Sequence, residues 1–222
     1  MTTPAIADHA FVFADRAGYA ALTEAHGDEG AGSPATRFFE ITQRALSTSS
    51  RLVKTLGDGV MIVADSELEG IRVAMAIARS TQSEPGFPAV RIGIHSGAAV
   101  ELDGDFFGNC VNLTARVMTA AEPGRVLCTE PIAVAAVVAG MTPPIPLGLA
   151  RLKHISHPIA LYELRPHDGG QSLVYLDPVC RMRIEPNAVS ALIQYEGALV
   201  RFFSQACCDR FLTEPAAYLP MS

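Results

Sequence analysis

RLVKTLGDGVMIV, residues 51–63, reads as a β-hairpin. Two runs rich in β-forming residues, RLVKTL and VMIVAD, flank Gly57-Asp58-Gly59, and Asp-Gly is a strong turn signal between such runs. The reading puts an acid, Asp58, at the hairpin tip and a lysine, Lys54, on its first arm. Each has an ordinary explanation alone, because Asp suits a turn and Lys suits a solvated strand face. Two further segments give the hairpin a context. FVFADRAGY, residues 11–19, lies in a buried strand, AFVFAD, that ends in the acid Asp15. GDFFGNCVNLTAR, residues 104–116, carries Asp105, a glycine-containing loop and a helix on which Asn112 and Arg116, spaced i,i+4, share one face.

The remaining sequence supplies a frame. GYAALTEAHGDEGA and SPATRFFEITQRALS have helical spacing, and Ser33-Pro34 is a start signal for the second. SELEGIRVAMAIARS carries Leu68, Ile71, Ala74 with Met75, and Ala78 on one stripe, and Ser66 with Glu69 fits the spacing of a capping box. AVRIGIHSGAAVEL is a strand or hairpin, VNLTARVMTAA a helix, GRVLCT a strand and PIAVAAVVAG a helix; ARLKHI and IALYEL are expected to be closing strands. RPHDGGQS is a Gly/Pro/polar linker. The expected organisation is a domain over 1–165, a linker over 166–173 and a small unit over 174–222. The order β-α-α-β-β-α-β is that of an α+β, ferredoxin-like sheet with helices on one face.

Composition narrows the function. A net charge of −6 argues against a nucleic-acid-binding surface. No apolar run approaches the roughly 18–20 residues of a membrane span, and MTTPAIADHA lacks the features of a signal peptide, so a cytoplasmic chain is expected. Five cysteines, an odd number, argue against a disulfide framework. Lys54 and Lys153 are the only lysines among 17 basic residues. No HExxH or paired Cys-His spacing is present, His95 in RIGIHSG reads as structural, and Ser96 has no nucleophile-elbow context.

In their order and spacing, FVFADRAGY, RLVKTLGDGVMIV and GDFFGNCVNLTAR resemble the catalytic homology domain of class III adenylate and guanylate cyclases, over roughly residues 8–165. The resemblance implies conversion of ATP to 3′,5′-cyclic AMP and pyrophosphate. It implies that Asp15 and Asp58 hold two Mg²⁺ or Mn²⁺ ions per active site, following the two-metal logic of phosphoryl displacement. It assigns Lys54 and Asp105 to the N1 and N6 edge of adenine, Asn112 to the ribose, Arg116 to charge on the transferred phosphoryl group and Lys153 to the triphosphate. It also implies a head-to-tail homodimer, with metal acids from one subunit and base and transition-state residues from the other. The chain departs from the family pattern at three points. Arg16 replaces the usual aliphatic residue, His154 follows Lys153 where glycine is usual, and the segment before Asp105 lacks a basic residue that many members use on the triphosphate. A catalytically silent, nucleotide-binding regulatory module is the alternative, and the intact set of Asp15, Lys54, Asp58, Asp105, Asn112 and Arg116 argues against it.

The last residues resemble a second family. DPVCRM is similar to the D-P-V-C-G-M opening of YHS domains, and FFSQACCDRF to their F-C-S-x-x-C-x-x-x-F segment. Cys180 and Cys207 occupy matching cysteine positions, Arg181 replaces the glycine, and Phe203 replaces one cysteine, for which Cys208 could substitute. Two readings stand: a thiolate metal site at Cys180, Cys207 and Cys208, or an interaction module with buried cysteines and an unknown regulator as partner.

Overall fold

The computed structural model describes residues 5–18, 24, 34–84, 86–165, 175–185 and 188–218. An eight-stranded sheet has the order β2-β3-β1-β4-β6-β8-β7, with β5 paired to β4. Its strands are β1 (Ala5–Arg16), β2 (Ser50–Leu56), β3 (Gly59–Ala64), β4 (Val90–Leu102), β5 (Asp105–Phe107), β6 (Val126–Thr129), β7 (Ile145–Ala150) and β8 (Ile159–Leu164). All pairings are antiparallel except β4 with β6. The helices are α1 (residues 34–45), α2 (Glu67–Ser83), α3 (Asn109–Ala120) and α4 (Glu130–Val138).

The alternation along β1 explains the layering. Ala10, Val12 and Ala14 enter a core with Phe38 and Ile41 of α1, Ile71, Ala74 and Ile77 of α2, and Ile132 of α4. Phe11 and Phe13, on the opposite face, pack with Met61, Phe106 and Cys110. Helices therefore cover both faces, with α3 on the opposite one, rather than one face as the element order suggested. The cause is long-range: α3 turns Cys110, Thr114 and Val117 inward, and Gly93 of β4 lies directly beneath the backbone of Met118.

Helix α2 starts at its predicted cap. The Ser66 side chain accepts from the Glu69 N–H, while the Glu69 carboxylate turns away to Ser47, Ser50 and Arg72, so the reciprocal half of the capping box is not made. Leu68, expected on the buried stripe, is exposed. ARLKHI does not form a closing strand. The strand paired with β8 is β7, and residues 151–158 form a turn region in which His154 is left-handed and the Ile155 N–H donates to the Leu152 carbonyl. The helix expected over GYAALTEAHGDEGA lies outside the described residues apart from Gly18 and Glu24, as does the linker apart from Arg165.

The C-terminal residues form their own core of Val179, Cys180, Met182, Phe202, Cys207, Cys208 and Phe211. Two short antiparallel pairs, β9 (Tyr175–Leu176) with β10 (Arg183–Ile184) and β11 (Ala191–Tyr195) with β12 (Ala198–Phe202), precede α5 (Gln205–Thr213). The β11–β12 turn holds Glu196 and Gly197 at positive φ, as a tight hairpin turn requires. This unit joins the large sheet through main chain: the Ala89 N–H donates to the Arg181 carbonyl, the Arg183 N–H to the Phe87 carbonyl, and Met182 bridges to Pro88. Among the described residues, no helix is long and apolar enough to cross a membrane.

Candidate active site

Strand register assembles the first cluster. β1 lies antiparallel to β4, which sets Asp15 opposite Arg91, and antiparallel to β3, which sets Asp15 opposite Gly59 at the end of the hairpin turn. The Arg91 guanidinium donates to Asp15 Oδ2 through Nε at 2.8 Å and Nη2 at 2.6 Å. Asp58, at the hairpin tip next to Gly59, lies beside the Asp15 carboxyl. Burial and the neighbouring Asp15 charge raise the Asp58 carboxyl above its ordinary range. Gly59 permits this approach, because a Cβ there would lie 2.9 Å from the Ala14 carbonyl and 3.3 Å from Asp15 Oδ1. Arg16 points to the other face, where Nε donates to the Asp58 carbonyl at 3.2 Å and the guanidinium lies 5.8 Å from the centre of the Phe38 ring.

The second cluster spans β2 and β5. Lys54 Nζ donates to Asp105 Oδ2 at 2.6 Å and sits 5.8 Å from the Phe107 ring centre. The β2–β3 register shifts between Leu52 and Lys54, the kind of bulge that re-aims a side chain. Asp105 Oδ1 also accepts from the Phe106 N–H, and the Lys54 hydrogen bond holds the Asp105 carboxyl below its ordinary range. On α3, Asn112 is exposed, and half-buried Arg116 makes no side-chain hydrogen bond or ion pair among the described residues. Lys153 is exposed in the β7–β8 turn, toward the edge of the sheet opposite β2.

The predicted residues thus form two pairs and a helix face. Asp15 lies beside Asp58, and Lys54 meets Asp105; among the described residues, no hydrogen bond or ion pair links the pairs to each other, to Asn112 and Arg116, or to Lys153. Sequence reasoning missed Arg91, whose role appears only once the β1–β4 register is known, and saw Arg16 only as a departure. The carboxylate pair fits a divalent cation on its donor chemistry. It offers hard carboxylate oxygens from two adjacent strand ends.

The C-terminal cysteines are arranged differently from the expectation. Cys180 and Cys207 lie with Asp177, their ligand atoms all within 4.8 Å of one another, and Cys208 is outside that cluster. Asp177, fully buried, accepts from the N–H groups of Val179 at 2.7 Å, Cys180 at 3.0 Å and Phe203 at 2.7 Å. The Cys180 thiol is pushed up, first by its hydrogen bond with Cys207 and then by burial; burial also raises Cys208. The group offers two thiols and a carboxylate to one point in space, and the carboxylate already accepts three N–H bonds. Phe203, at a family cysteine position, packs its ring edge 3.6 Å from the Cβ position of Gly86 in the large domain.

Comparison with known proteins gives the same two parts. The YHS domain family model matches residues 175–221. An uncharacterized Mycobacterium tuberculosis protein, Rv2212, is 34% identical over 161 residues, which is 71% of this chain and 40% of that one. The pH-sensitive adenylate cyclase MT1302 of M. tuberculosis is 32% identical over 120 residues, 54% of this chain and 30% of that one. The chain therefore spans at most 40% of these relatives' length. The crystal structure of an adenylate/guanylate cyclase/hydrolase from Silicibacter pomeroyi superposes with a TM-score of 0.67 at 29% identity, covering 74% of this chain and 99% of that one.

Proposed function

We propose, for a chain that joins a class III cyclase-like domain to a C-terminal YHS domain, that it is an adenylate cyclase forming 3′,5′-cyclic AMP and pyrophosphate from ATP at the interface of a homodimer. The observation that carries this reading is the Lys54–Asp105 pair, preassembled at 2.6 Å. A lysine donor beside a carboxylate acceptor matches the N1 acceptor and N6 donor of adenine, whereas guanine presents the opposite pattern. A wrong base would leave both groups desolvated and unpaired, which makes such discrimination steep.

Asp15 and Asp58 would hold two Mg²⁺ or Mn²⁺ ions, which supply activation of the ribose 3′-hydroxyl and neutralisation of the triphosphate. Arg91 fixes the Asp15 carboxylate from one side, and Arg16 fixes the Asp58 backbone, so both acids are oriented before substrate arrives. Arg116, with no partner among the described residues, is available for charge that develops on the transferred phosphoryl group. Asn112, one turn earlier on α3, would orient the ribose. Lys54 and Asp105 pair with each other and Asp15 with Arg91, which fits metal acids and base-reading residues serving different subunits' sites, and exposed Lys153 would reach the triphosphate there.

One observation favours a second reading. Asp15 already pairs with Arg91 at 2.6 Å, and that guanidinium would compete with a cation for the carboxylate. Incubating the purified chain with ATP and either Mg²⁺ or Mn²⁺ and measuring cyclic AMP separates the two. Product that Asp15→Ala abolishes supports the cyclase, and nucleotide binding without product supports the silent module.

A further inference from the structure

We infer that Arg181, in the C-terminal domain, is a binding residue for the polyphosphate of the nucleotide; this rests on the cyclase reading above. It gives the chain, from its second domain, a triphosphate cation of the kind missing before Asp105.

Arg181 has a left-handed backbone, φ +58, which glycine adopts without strain and arginine does not. The backbone is pinned there. Its N–H donates to the Asp177 carbonyl at 3.0 Å, and its carbonyl accepts from the Ala89 N–H at 3.1 Å. Ala89 in turn accepts from the Ala17 N–H at 2.8 Å, so the end of β1, Ala89 and Arg181 form one continuous main-chain ladder. The ladder lays the Arg181 side chain on Gly18. A Cβ on Gly18 would lie 2.9 Å from Arg181 Cγ and 3.0 Å from the Cys180 carbonyl.

Gly18 is three residues beyond Asp15, at most about 10 Å along the chain. Cations held by Asp15 and Asp58 would bring phosphate oxygens to this end of the sheet. Three arginines lie on the segments that join here. Arg91 is bonded to Asp15 and Arg16 to the Asp58 carbonyl, whereas the half-buried Arg181 makes no side-chain hydrogen bond or ion pair among the described residues. A planar, permanently charged fork whose stem rests on Gly18 is suited to bind phosphate bidentately. Packing alone would not select arginine, since glycine relieves the strain and leaves the main-chain ladder intact.

The test uses the full chain and the variants Arg181→Gly, Arg181→Gln and Arg181→Lys. Pyrophosphate binding with Mn²⁺ is measured by calorimetry, KM and kcat for ATP by cyclic AMP formation, and stability by thermal unfolding. Arg181→Gly and Arg181→Gln are expected to weaken pyrophosphate and raise the KM for ATP by about 10-fold, as for loss of one charge-assisted contact. Affinity for adenosine, which lacks phosphates, should stay unchanged, and Arg181→Lys should fall between. Arg181→Gly should melt no lower than the wild type; if it does, Arg181→Gln, which keeps the stem, decides. Pyrophosphate affinity within twofold of wild type in Arg181→Gln, or a loss shared equally by adenosine, overturns the inference, as does a wild type that binds no polyphosphate. A wild type that binds polyphosphate and makes no cyclic AMP sinks the cyclase reading alone.

Discussion

Replacing Gly93 by alanine should separate catalysis from folding. Gly93 lies in β4 opposite Phe13 of β1 and beside Leu127 of β6, so its strand is held on both sides. A Cβ there would meet Met118 of α3 at 2.2 Å from N, 2.6 Å from Cα and 2.7 Å from Cβ. Ordinary contact begins near 3.4 Å, and the atoms in the way are mainly backbone, so relief needs a shift of about 1 Å. The sheet cannot supply it, and α3 must lift. Overpacking of this kind costs about 1–3 kcal/mol. The same helix carries Asn112 and Arg116, and a displacement of about 1 Å at catalytic groups can cost about 100-fold in rate. Gly93→Ala is therefore expected to fold, lose about 1–3 kcal/mol in urea denaturation, and lose about 100-fold in kcat for cyclic AMP formation at saturating ATP and Mn²⁺. Gly97→Ala is the control on the same strand, because its nearest neighbour, Cys110 Sγ, is at an ordinary 3.5 Å. Wild-type stability and rate in Gly93→Ala, or equal damage in Gly97→Ala, would refute the reasoning.

Three further outcomes follow from the geometry. Glu69 is held at about 2, chiefly by Arg72 and then by Ser47 and Ser50, against an ordinary 4.5. Because the folded value is depressed, its stabilisation is complete above about pH 4.5 and is lost as pH falls toward 2. Glu69→Gln should cost about 1–2 kcal/mol at pH 7, allowing for solvent around Arg72, and the gap should shrink at pH 3; an equal gap at both pH values in urea unfolding contradicts this. Exchanging Lys54 for Glu and Asp105 for Cys should lower kcat/KM for ATP far more than for GTP, and an unchanged ratio would mean that the purine is read elsewhere. Asp58→Ala and Arg116→Ala proteins should each be inactive, yet recover part of the activity when mixed; a dead mixture in which mixed dimers are demonstrably present rules out the shared site.

What the sequence revealed was local. The Gly57-Asp58-Gly59 hairpin, the Ser66 cap of α2 and the i,i+4 pair on α3 are set by neighbours in the chain, and the structure has each of them. Lys54 and Asp105 were chosen by motif, 51 residues apart, and they meet. The features that escaped depend on partners distant in sequence. Arg91 acquires its role from strand register alone. The face taken by α3 is decided by Gly93 against Met118. ARLKHI has strand-like composition, but a left-handed His154 and the turn at Ile155 break it. Cys208 stands next to Cys207 in sequence, yet lies outside the cluster that Cys207 forms with Cys180 and Asp177.

Ala89 gives its carbonyl to the end of β1 and its N–H to Arg181, so one peptide unit on each side of a single residue is committed to a different domain. The C-terminal domain is consequently stitched by main chain to the segment that leads into β4 and does not hang from it as a pendant. Exchanging it for an unrelated module would strand the Ala89 N–H and the Phe87 carbonyl unless the newcomer offered a complementary strand at the same height. A compatible replacement is thus constrained by backbone geometry before any side chain is chosen, and a tug on the tail arrives at the Asp15 end of β1 through a chain of three hydrogen-bonded residues.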